Sequence, residues 1–161
     1  MATLLAWLEA SALGHAMRET GPWTYGLVNL AHIIGIATLF GPVLALDLRL
    51  LGVWRHVPLG ALSDVLVPIA RAGFGIAACA GLAMLSANAT EYSGNPFLLI
   101  KFPAIALALV NVAVLSRTSG WQTRHARQPD DGEARQLAVL GGVSLTCWMV
   151  AVAAGRMIGY W

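Results

Sequence analysis

His32 is the residue on which chemistry in this chain would turn, because it stands inside a long apolar run, Asn29-Leu-Ala-His32-Ile-Ile-Gly35. An ionisable side chain at bilayer depth is costly, so it faces a bundle interior or a cavity and takes a partner or ligand there. Helical spacing sets Asn29 on the same face as His32. In an up-down-up-down bundle Met149 comes to a similar depth, and Lys101 and Arg156 each lie about one turn in from the outer ends of their spans. Imidazole and thioether at mid-depth, roofed by two cations, read as a pocket for haem b. His32 is then the axial ligand, Met149 or His15 the second ligand, and Lys101 with Arg156 the partners of the propionates. No CxxCH attachment run is present, so haem b fits better than haem c. The plain alternative for a single histidine in a helix is a packed, hydrogen-bonded core residue.

Other residue types give narrower options. His32, Cys79, Met84, Cys147 and Met149 supply soft or borderline atoms suited to Cu(I), but no CxxC or MxxM spacing gathers them. Cys79 and Cys147 lie in separate apolar runs, where free thiols act as small apolar residues. Asp47 near the end of one span and Arg71 within the next are expected to neutralise each other as a structural ion pair, with Arg49 an anchor at the inner surface. No catalytic triad, carboxylate pair, phosphate loop or zinc motif is present, so hydrolase and kinase chemistry have no basis here.

The elements that must position these residues are membrane helices. Hydrophobic residues make up 58% of the chain and charged residues 11%, against roughly 25% charged in soluble domains. Mean hydropathy is +0.69. The 161 residues allow one integral domain with about four spans. The net charge of +2 comes from dispersed residues and gives no nucleic-acid footprint.

The expected fold is all-α, a four-helix transmembrane bundle with a short N-terminal interfacial helix. That first helix covers 3–18, with Leu4, Leu8, Ala12 and His15 on one face. Spans are expected at 22–51, 61–88, 97–116 and 137–160, ending at Trp161, with a bend at Pro42 and a solvated loop over 117–136. In the second span Gly73, Ala77 and Gly81 are spaced four apart, as are Gly75, Cys79 and Ala83, and small residues so placed permit close helix approach. Arg49, Arg55, Arg117, Arg124, Arg127 and Arg135 fall in the two connections on one side, with Arg18 on the other. The positive-inside rule therefore leaves both termini outside the cytoplasm, periplasmic if the membrane is a bacterial inner membrane.

The runs Arg18-Glu-Thr-Gly-Pro-Trp23, Asn29-Leu-Ala-His32 and Leu46-Asp-Leu-Arg-Leu-Leu-Gly52, with Gly94-Asn-Pro-Phe-Leu-Leu-Ile-Lys101 and Gly155-Arg-Met-Ile-Gly-Tyr160, carry a resemblance over most of the chain. It resembles a group of small bacterial inner-membrane proteins of unknown function, which implies four spans and no established activity. The histidine helix followed by Gly41-Pro42 is also distantly similar to the membrane domain of copper resistance protein D. That similarity carries no metal ligand across. The expected function is a small membrane subunit binding haem b for electron transfer, working with a larger membrane or periplasmic redox partner. An accessory or assembly subunit without cofactor is the second reading, and a copper or small-anion permease the third.

Overall fold

The computed structural model describes residues 2–160, so the expected end of the last helix at Trp161 lies outside the described residues. Among them the secondary structure is entirely helical: α1 (Ala2–Glu9), α2 (Ala12–Glu19), α3 (Gly21–Leu50), α4 (Leu59–Ala87), α5 (Pro96–Leu115), α6 (Ser119–Gln122), α7 (Asp131–Met157) and a closing 3-10 turn (Ile158–Tyr160). Four of these, α3, α4, α5 and α7 with its closing turn, are long and apolar enough to cross a membrane. Helices suit that solvent because all of their backbone hydrogen bonds close within the segment. Two compact units share the chain: Met1–Phe40 with Ala70–Asn95, and Gly41–Ile69 with Pro96–Trp161.

In unit one the N-terminal segment is two helices, not one. Ser11 caps α2 by accepting the Gly14 N–H at 3.2 Å, while its hydroxyl donates to the Leu8 carbonyl at 2.6 Å. The break resets the helical phase. Leu5, Gly14 and Met17 become the buried positions, while Leu4, Ala12 and His15 are exposed, which replaces the face expected from an unbroken helix. Two charged residues then tie the segment down. Arg18 donates to the Ala87 carbonyl at 3.1 Å and the Glu9 carbonyl at 3.0 Å, and the Glu9 carboxylate accepts from the Thr90 N–H and hydroxyl, both at 2.7 Å. Those bonds hold the Glu9 carboxyl below its ordinary 4.5, the Thr90 backbone bond contributing most.

The rest of unit one is a seam between α3 and α4. A methyl group built on Gly73 would collide with the backbone of Thr38 and Leu39, and one on Gly35 would come within 2.5 Å of the Ala77 nitrogen. Such closeness needs small residues on both helices. Of the two candidate rows on α4, the helix uses Gly73-Ala77-Gly81; Gly75 meets nothing within 4 Å and Cys79 is exposed.

Unit two is centred on α5 and α7. Ala104, Ala108 and Asn111 of α5 are buried, as are Gly141, Ser144, Trp148, Ala151 and Ala154 of α7. Asn111 donates to the Leu140 carbonyl at 2.9 Å, a polar clasp inside an otherwise apolar pair. Leu50, Leu59, Leu115 and Leu137 form a core cluster, joined by Leu46, Trp121 and Leu140.

The expected long loop over 117–136 is partly structured. Helix α7 starts at Asp131, capped by Asp130 and Glu133 in a reciprocal capping box. Glu133 also accepts both Arg127 guanidinium nitrogens at 2.7 Å and the Ser119 hydroxyl at 2.8 Å, which links α6 to α7.

Candidate functional site

Residue by residue, the seam of unit one gives His32 a defined setting. The helices reach van der Waals contact through Gly35, Gly73 and Ala77, and Gly81 continues the row to the imidazole itself: a methyl group there would come within 2.9 Å of His32 Cε1. The ring is half-buried, and its Nδ1 lies 2.8 Å from the Ala77 carbonyl oxygen. A carbonyl only accepts, so Nδ1 carries a proton and donates it. From Trp23 at the head of the apolar span to His32, the 1.5 Å rise per residue gives about 14 Å along the helix axis. Asn29, one turn earlier, is half-buried.

The remaining candidates are distributed otherwise. His15 is exposed and lines a shallow cavity of about 290 Å³ in unit one with Ala6, Glu9, Ala10, Arg18 and Thr90. Met149 belongs to unit two and is 52% exposed. Its stripe, Thr146-Met149-Ala153-Arg156, is exposed throughout, because α7 turns its small residues Gly141, Ser144, Ala151 and Ala154 inward. On α5, Lys101 shares a face with Ala104, Ala108 and Asn111. Ala104, Ala108 and Asn111 are buried below it, and the Lys101 ammonium lies 3.3 Å from where a Gly155 side chain would begin. That brings Lys101 beside the residue preceding Arg156. Arg156 itself is exposed, donates to the Tyr160 hydroxyl and stacks over that ring at 4.6 Å.

Two expectations about the C-terminal end of α3 are corrected. Asp47 is 3% exposed and Arg71 is exposed; the side chain that hydrogen-bonds the Asp47 carboxyl is the buried Ser144, and Asp47 Oδ2 has no hydrogen-bond partner. Gly141 leaves room for this approach, since a methyl group there would come 2.9 Å from Leu50 Cβ and 3.2 Å from the Asp47 carbonyl oxygen. Arg49 is no surface anchor but 93% shielded, with 7% of its surface exposed. Its Nε donates to the Val57 carbonyl at 2.8 Å, and Nη2 reaches the Arg55 carbonyl at 3.2 Å and Gln128 Oε1 at 3.3 Å. Free carbonyls after a helix end are a known signal for such an arginine, but a sequence does not show which of several arginines turns back to take them.

The sequence profile of a family of unknown function, DUF6644, matches residues 4–161. The chain belongs to that family. The match extends over all four spans, as the resemblance implied, and gives the DUF6644 chain no activity. No curated protein and no solved structure matches it. The likeness to copper resistance protein D therefore gains no support. Cys79 and Cys147 are free thiols, and among the described residues no three His, Cys, Asp or Glu side chains group as for a metal ion.

Proposed function

We propose that this protein is a small multi-pass membrane subunit that binds haem b through His32 and passes electrons to a larger partner. The observation behind this reading is the His32 Nδ1 to Ala77 carbonyl bond of 2.8 Å. Histidines that hold a metal commonly donate their other ring N–H to a carbonyl, which fixes the tautomer and makes the remaining nitrogen a better ligand. At Gly81 a side chain would come within 2.9 Å of the ring carbon Cε1, so glycine there lets the imidazole lie against α4. The bound haem would supply one-electron redox chemistry, and the protein would supply the ligand, its orientation and an apolar surround. With six arginines on the connections of one side, the same reading puts the protein in an inner membrane with both termini periplasmic.

A second reading is favoured by the tightness of the same seam: an assembly subunit without cofactor, in which His32 only clasps α4. One series of spectra separates the two. Protein purified from haem-replete cells is expected to show a Soret band that shifts on dithionite reduction and is lost in His32→Ala. His32→Gln keeps a donor for the Ala77 carbonyl but provides no iron ligand, so it restores thermal stability and not the band. A colourless wild-type preparation, or a full band in His32→Gln, overturns the haem reading.

A further inference from the structure

A cavity of about 230 Å³ lies in unit two between the C-terminal end of α3 and the start of α7, lined by Arg49, Arg55, Gln128, Asp131 and apolar neighbours. We propose that it binds a phosphate oxyanion, carried by a phospholipid headgroup or free as inorganic phosphate, between the Arg49 and Arg55 guanidinium groups. The Arg49 guanidinium donates to neutral acceptors, two backbone carbonyls and the Gln128 amide. A guanidinium shielded to this degree retains its charge and is costly without an anion. None is supplied among the described residues. The ion pairs among the described residues are His125 with Asp64 and Arg127 with Glu133, and Asp131, the acid lining the cavity, joins neither arginine.

The loop geometry brings the second cation to the same place. Gly52 adopts φ +100°, and Trp54 takes a left-handed φ of 53° that side-chain-bearing residues rarely adopt. Because Gly52 has no side chain, the Arg55 guanidinium packs over it, 2.9 Å from where a Cβ would sit. Two like charges are thus held close together beside a cavity, in a strained loop. Backbone strain of this kind persists where a ligand or the surrounding fold requires it. Bidentate guanidinium groups match phosphate oxygens in geometry as well as charge.

The test uses the full chain in neutral detergent and in nanodiscs. Inorganic phosphate, titrated against chloride at constant ionic strength, is expected to raise the melting temperature if the free ion is the ligand. If the source is lipid, nanodiscs of phosphatidylglycerol stabilise the protein relative to phosphatidylcholine, and native mass spectrometry retains the anionic lipid. In either arm Arg55→Gln, an exposed position, is expected to weaken binding at least tenfold. Gln128→Glu sets a carboxylate beside Arg49 and is expected to abolish binding while the protein stays folded by circular dichroism. Arg117→Gln removes an exposed charge outside the cavity and is expected to bind as wild type does. Response to neither probe, or an equal response in Gln128→Glu, overturns the proposal.

Discussion

Glu9 shows how a single exposed carboxylate can organise a terminus. Its two bonds to Thr90 hold the N-terminal helices against the segment that follows α4. Because the carboxyl lies below its ordinary 4.5 when these bonds are made, its contribution is fully present above that value and is lost as pH falls through the lowered one. Amide exchange at Thr90, normalised to the intrinsic rate, is expected to accelerate progressively below about pH 4.5. Glu9→Gln is expected to exchange fast at neutral pH and to lose the acid dependence; a protected Thr90 amide in that variant would argue against the tether. His32 was legible as a candidate from its setting in an apolar run. Its partner was not, since the Ala77 acceptor is a backbone atom that every residue type carries.

At the scale of elements, the close approach of α3 to α4 depends on which row of small residues faces inward. Gly73→Ala puts a methyl into the backbone of Thr38 and Leu39, whereas Gly75→Ala meets open space. The first is expected to cost about 1–3 kcal/mol, the range for overpacking a filled interior. The second is expected to be neutral or slightly stabilising, since alanine favours helix over glycine. Unfolding in mixed micelles measures both, and equal effects would show that the two rows are interchangeable. Helix α7 shows what a boundary signal contributes: Asp130-x-x-Glu133 is a capping pattern readable in sequence, and it moves the start of the helix ahead of the expected 137. The break at Ser11 is another local signal of the same kind, and it decides which residues of the N-terminal segment are buried.

For the whole molecule, the arginine distribution makes orientation testable. Reporter fusions at either terminus are expected to be active as alkaline phosphatase and dark as cytoplasmic green fluorescent protein, and moving the excess by replacing Arg117, Arg124, Arg127 and Arg135 with glutamine is expected to yield mixed topology. Uniform cytoplasmic termini in the wild type would reverse the assignment. Arg49 and Arg124 are more than markers of orientation. Arg49 clamps the connection after α3, and Arg124 donates to Ser63 at 2.9 Å and stacks over Trp121 at 4.4 Å.

Sequence alone determined that the chain is helical, that it holds four long apolar helices, and that His32 is a polar residue in apolar company. Those features follow from hydropathy and from the need to satisfy backbone groups within each segment. Tertiary structure decided which faces meet. Met149, chosen for its depth, lies on the exposed side of α7, and Arg49, read as an anchor, is buried. The reason is physical: a span that is apolar on every side carries no amphipathic mark of its inner face, so the choice falls to close packing of glycine, alanine and serine against a neighbouring backbone.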